Sequence, residues 1–149
     1  MAVNKDQSLL AISGYHSADN GDHFNTVYLF SISIVENKFN LTLLDTIEAS
    51  KGSSMGQKKE DIITGLIFVE SLNSSRLLTL TRNSAKLGLI GVENNSLRHL
   101  IDEIDFSGTH SLGNCNLFKN QSLNDQSCQK LEFFIASNTD NITRLRLRI

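Results

Sequence analysis

Ile62-Ile63-Thr64-Gly65-Leu66-Ile67-Phe68-Val69-Glu70, Arg76-Leu77-Leu78-Thr79-Leu80-Thr81, Lys86-Leu87-Gly88-Leu89-Ile90-Gly91-Val92 and Leu97-Arg98-His99-Leu100-Ile101-Asp102-Glu103-Ile104 are four apolar runs divided by Asn, Ser, Gly and Glu. Each is too short for an ordinary helix and rich in β-branched or aromatic residues, the pattern of strands joined by turns. Leu97–Ile104 is the ambiguous one, because Leu97, Leu100, Ile101 and Ile104 also fit helical spacing.

The same pattern extends both ways. Upstream, strands are expected at Ser8–Ser13, Thr26–Val35 and Phe39–Ile47, with Val27 and Leu29 on one face of the second and Tyr28, Phe30, Ile32 and Ile34 on the other. Downstream they are expected at Asn114–Phe118, Lys130–Ala136 and Ile142–Ile149. The chain contains no proline, where average usage would give about seven. Its turns therefore fall to Asn, Asp, Gly and Ser, whose side chains mimic turn hydrogen bonds or tolerate positive φ.

The chain also repeats. A shift of 57 lays Val35-Glu36-Asn37 on Val92-Glu93-Asn94 and Leu43-Leu44-Asp45 on Leu100-Ile101-Asp102. Phe133–Ser137 falls on Leu77–Thr81 after a shift of 56. The repeat favours a strand at Leu97–Ile104, since its counterpart Leu41–Ile47 holds Thr42 and Thr46. A period of about 56 fits one four-stranded unit with polar insertions. One unit is complete. The unit before it retains three strands, its first surviving at most as Ala2-Val3, and the unit after it stops before a fourth.

Ile62–Phe68, Arg76–Asn83 and Lys86–Ile90, with Val3–Gly14 placed like a first-to-second strand turn, resemble the WD-repeat type of β-propeller, although the chain has no Trp and so no Trp-Asp dipeptide. The resemblance implies an all-β chain of consecutive four-stranded antiparallel blades, amounting to about two and a half to three of them. The expected organisation is a single β domain over 1–149, with blades at 1–50, 60–105 and 110–149 and an inter-blade loop at 50–61. A closed propeller needs at least four blades. The expectation is thus a piece of a longer protein, with missing strands supplied by another polypeptide as the alternative. A small β-sandwich and an α+β fold with helices at Leu97–Ile104 and Lys58–Ile67 are the competing architectures.

Composition narrows the function. The 149 residues carry 14 Lys and Arg against 16 Asp and Glu, a net charge of -2, with 40% hydrophobic residues. A chain of this size buries about 68% of its unfolded surface, enough for one core. Near-neutral charge gives no general affinity for nucleic acid or membranes. No apolar run approaches the roughly 18 residues of a membrane helix, and Met1–Leu10 lacks the order of an export signal. Cys115 and Cys128 make no CxxC pair and read as free thiols of a reducing compartment. The Asn-x-Ser/Thr sequons at Asn40, Asn73, Asn94, Asn120 and Asn141 then follow from a chain with 15 Asn and 18 Ser.

Several groups could carry chemistry. Gly52-Ser53-Ser54-Met55-Gly56 matches the Gly-x-Ser-x-Gly nucleophile elbow, with Asp102 or Asp105 and His110 following in hydrolase order. The solvated run Gln57–Asp61 stands where the elbow's helix should begin, so an inter-blade loop is the simpler reading. His16, Asp19, Asp22 and His23 offer metal-ligand chemistry. They sit in one loop without a rigid frame, and a hairpin connection turning at Asn20-Gly21 explains them. No phosphate loop or dinucleotide fingerprint is present, and no cofactor is expected. Arg144, Arg146 and Arg148 alternate with Leu145, Leu147 and Ile149, so three guanidinium groups share one strand face. They are the candidate partner-binding residues, against a solvated outer strand whose charges discourage edge pairing. Phe24, Tyr28, Phe30, Phe39, Phe68, Phe133 and Phe134 read as core.

The resemblance implies a non-catalytic protein-interaction scaffold in a cytoplasmic or nuclear assembly, with protein partners that include the rest of the propeller. Insertions at Tyr15–Asn25, Ala49–Asp61 and Phe106–Gly113 supply variable loops. The alternatives are a small serine hydrolase using Ser54 and a self-contained β-sandwich that binds a ligand.

Overall fold

A computed structural model describes residues 1–17, 23–51, 62–71, 74–81, 86–105, 116–119, 130–136 and 142–148. Every regular element among them is a strand: β1 (Ala2–Val3), β2 (Leu9–Ser17), β3 (His23–Val35), β4 (Lys38–Lys51), β5 (Ile63–Ser71), β6 (Ser74–Thr81), β7 (Lys86–Glu93), β8 (Ser96–Asp105), β9 (Asn116–Lys119), β10 (Lys130–Ala136) and β11 (Ile142–Arg148). Ser96–Asp105 is a strand, as the repeat requires. Among the described residues no helix is long and apolar enough to cross a membrane.

The strands form three successive antiparallel meanders, ordered β1-β2-β3-β4, β5-β6-β7-β8 and β11-β10-β9. Ala2-Val3 does survive as a first strand, pairing with Ala11 and Leu10. The sheets do not close on themselves among the described residues. They stack in chain order: β5 lies against β1 and β2, β8 against β4, and β9 against β5. First strands thus meet first strands, and last meets last.

Two strands run further than their apolar patterns. Tyr15, His16 and Ser17 continue the ladder with Asn25, Phe24 and His23, so much of the expected Tyr15–Asn25 insertion is hairpin. Ala49, Ser50 and Lys51 likewise belong to β4. Backbone pairing propagates along a hairpin whatever the side chains, whereas apolar alternation stops where burial stops.

The core between the first two sheets is built from alternate residues. Ala11, Val27 and Leu29 of the first sheet meet Leu66, Phe68, Leu77, Ile90 and Val92 of the second. The buried Asn25 carboxamide oxygen accepts the Ile63 amide proton at 3.2 Å, joining β3 to β5. At the outer strands, the Asp45 carboxylate accepts from the Leu97 amide at 2.7 Å, and His99 Nε2 lies 2.8 Å from the Glu48 carbonyl. Near the first strands, Glu70 accepts from the Lys5 amide at 2.9 Å.

The second sheet is covered on both sides. Leu78, Leu80, Val69 and Leu87 alternate with the residues facing the first sheet and are also buried. With the first sheet on the opposite face, their cover comes from the side of the third, whose β9 lies against β5.

Turn geometry corrects the repeat by one residue. Glu36 and Asn37 both have positive φ, as do Asn94 and Asn95, which marks two-residue type I′ hairpins. The equivalent turns are therefore 58 positions apart (36 to 94), not 57. Both hairpins also carry a one-residue bulge on the outer strand, at Leu44 and at Leu100, 56 positions apart (44 to 100). The first hairpin is thus two residues longer between turn and bulge, and a single shift of 57 averages two registers. The distinction matters because a one-residue slip moves every side chain to the opposite face. In the turn-aligned register Ile32, Ile34, Phe39 and Leu41 correspond to Ile90, Val92, Leu97 and His99. The bulge re-aims Leu44 onto the inter-sheet core. Its counterpart Leu100 lies across Gly91, where an added Cβ would come within 3.3 Å of the leucine side chain.

Candidate functional site

The first sheet has one face on the core and one that no other sheet covers among the described residues. Leu10 and Ile12 of β2, Phe30, Ile32 and Ile34 of β3, and Phe39, Leu41 and Leu43 of β4 occupy the second face by register. Exposure rises toward the β3–β4 turn: Ile32 is half-buried, Ile34 is 65% exposed and Phe39 78%. An aliphatic and aromatic stripe exposed across three strands is the kind of contiguous apolar surface that marks an interaction or ligand-binding candidate.

At its other end the stripe closes in an aromatic corner. His16 stacks on Phe24 with ring centroids 5.5 Å apart, and Tyr28 stacks on Phe30 at 6.5 Å. Tyr28 Oη lies 2.6 Å from His16 Nε2, a hydrogen bond whose direction follows the imidazole tautomer. Gly14 sits between them, and a Cβ there would stand 3.0 Å from Tyr28 Cε2 and 3.2 Å from His16 Nε2. The absence of a side chain lets the phenol cross to the imidazole. The corner is polar at its centre, with Phe24 and Phe30 on either side.

Of the expected metal group, His16 is engaged with Tyr28, and His23 opens β3 opposite Ser17. Asp19 and Asp22 lie outside the described residues, and no three His, Cys, Asp or Glu side chains among the described residues cluster as metal ligands. The Gly52–Gly56 turn with Ser54, together with His110, Cys115 and Cys128, also lies outside them. Asp102 and Asp105 are in β8. Arg144, Arg146 and Arg148 are alternate residues of β11, paired in register with Phe134, Glu132 and Lys130, and β11 stands at one end of its sheet.

The β1–β2 connection holds a carboxyl of altered acidity. The Ser8 hydroxyl and amide both donate to Asp6, and Asn4 Nδ2 donates at 2.6 Å. These bonds, led by those from Ser8, hold the Asp6 carboxyl below its ordinary value despite slight desolvation. The arrangement is an Asx-type turn that fixes the entry to β2.

The aromatic residues divide. Phe68 is core, as expected, but Phe39 is mostly exposed, and Tyr28 and Phe30 are only half-buried. Apolar alternation reveals that a strand face wants cover and leaves open whether cover is present, so the sequence could not separate Phe39 from Phe68.

No family model, curated protein or solved structure matches the chain.

Proposed function

We propose that the chain is a non-catalytic protein-interaction scaffold, a segment of a WD-repeat-like β-propeller working in an intracellular assembly. The observation that carries this reading is the order of stacking: consecutive four-stranded meanders, with first strand against first strand and last against last. Propeller blades follow one another in that way. The shared I′ turn and outer-strand bulge support treating the two hairpins as copies of one unit. The passage from this architecture to a scaffold is by analogy with other propellers.

Light scattering on the full chain, coupled to size exclusion, tests the reading. The expected result is self-association or a stoichiometric protein companion, because the end of the stack is apolar. A folded, monodisperse species at 16.6 kDa, labelled by a fluorophosphonate at Ser54, would replace the scaffold with a small hydrolase.

A further inference from the structure

We propose that the uncovered face of the first sheet, centred on Ile34, Phe39 and Leu41, is the docking site for a further antiparallel β-sheet. That sheet presents an aliphatic face and carries a carboxylate on its outermost strand, placed to accept the Phe39 amide proton. The inference rests on the propeller reading and names the partner that reading requires.

The molecule itself displays the contact once. In the β7–β8 hairpin, Val92, Ile90 and Leu97 are covered by the first sheet, and Val92 is only 8% exposed. The turn-aligned repeat puts Ile34, Ile32 and Phe39 at those same positions on the β3–β4 hairpin. The face is therefore continuous in kind with an interface already formed within the chain, and a sheet occupies that interface.

The polar part of the contact is equally specific. Leu97 is the second residue of β8, opposite Val92, and its N–H turns away from β7 to meet Asp45. Phe39 is the second residue of β4, opposite Ile34. In an antiparallel ladder a residue at this register directs its N–H away from its paired strand, here toward the outer edge of β4. A carboxylate on the covering sheet satisfies that donor as Asp45 satisfies Leu97.

A second copy of the same face is a poorer occupant. Two such faces could pair their aliphatic groups, but Asp45 shares its strand face with Leu44 and Ile47, which pack on the inter-sheet core, and faces away. Such a pair cannot bring Asp45, the acceptor that meets Leu97 within the chain, to either Phe39 amide. The first sheet's other face and both faces of the second are already occupied.

The test is a photocrosslink in the full chain, with Phe39→p-benzoylphenylalanine expressed in the cells that make the protein. Val35→p-benzoylphenylalanine, on the opposite face of the same hairpin, is the control. The expected adduct at position 39 joins a peptide from outside these residues that belongs to an antiparallel sheet and bears an Asp or Glu near the link. In the purified complex the Phe39 amide should exchange about tenfold more slowly or better, and Ile34→Lys should weaken the complex about tenfold or more, as loss of one buried aliphatic does. An adduct to another copy, to a helical segment or to lipid overturns the proposal, as does no adduct beyond the control. The Leu97 amide separates the two readings. If it is protected while position 39 finds no sheet, docking fails and the stack stands; if it is unprotected, both fail.

Discussion

The β3–β4 and β7–β8 hairpins are two renderings of one design, and they differ mainly in what lies over them. Each turns on two residues of positive φ, each bulges at a leucine on the outer strand, and each presents aliphatic groups at the same turn-relative positions. Over the second hairpin lies the first sheet, and Val92 and Ile90 are core. Over the first hairpin lies nothing among the described residues, and Ile34 and Phe39 are surface. Similar side chains therefore have opposite energetic roles, decided by a neighbour and not by local sequence.

Charge insertion should break this comparison most sharply. Val92→Lys puts an ammonium into a sealed apolar layer, and the expected loss is about 3 kcal/mol or more, a large fraction of the roughly 5–15 kcal/mol that ordinarily holds a domain folded. Ile34→Lys at the equivalent position should change stability by about 0.5 kcal/mol or less, since its side chain already meets water. Urea denaturation of both variants checks the pair. Equal losses would mean that the first face is covered in the isolated chain.

Truncation sharpens the same contrast. Leu77 is fully buried between the sheets, so Leu77→Ala should cost about 2–5 kcal/mol through lost transfer energy and the cavity left behind. Phe39→Ala should cost well under about 1 kcal/mol in the isolated chain and express its effect only in the complex. Thermal melts with and without the companion chain would separate the two quantities.

The turns themselves differ in one residue type. Glu36 holds a left-handed conformation that suits Asn, the residue at the equivalent position 94. Glu36→Asn should therefore stabilise the chain by up to about 1 kcal/mol, read as a rise in the denaturation midpoint at unchanged slope. No gain would indicate that Glu36 makes an interaction worth as much as its strain.

The smallest effect belongs to Asp6, at the entry to β2. Its carboxyl is held below the ordinary value, so the ionised form stabilises the fold above the unfolded-state pKa. That contribution should vanish as pH falls through the folded-state value. The stability difference between the parent chain and Asp6→Asn should shrink on acidification, measured by denaturation at stepped pH; a difference that does not move would assign the turn to Asn4 and Ser8 alone.

Much of this architecture was legible in the chain. Short apolar runs between Asn, Ser and Gly clusters gave the strands, and the counterpart Thr42 and Thr46 made Leu97–Ile104 a strand against its helical spacing. Three things were hidden, for physical reasons. Strand ends at Ser17 and Lys51 are held by backbone pairing, which leaves no mark in side-chain pattern. The register of the repeat was blurred because turn and bulge are displaced by 58 and 56 positions, respectively. The open face looked like core because an aliphatic stripe reads identically whether or not a sheet lies over it. The strand that carries Arg144, Arg146 and Arg148 was readable from their alternation with leucine and is β11, while the stripe through Phe39 required the structure.

Residue-resolved amide hydrogen exchange on the isolated chain, comparing Leu97 with Phe39, tests the central claim most directly. The two amides occupy one register position on equivalent hairpins, one meeting Asp45 beneath a neighbouring sheet and one facing water. Leu97 should exchange at least about tenfold more slowly, and Asp45→Ala should erase most of that difference, since a hydrogen bond to a charged acceptor is worth about 1.5–3 kcal/mol. Equal rates in the parent chain would contradict the stacking of the first sheet on the second, and with it the reading of the open face.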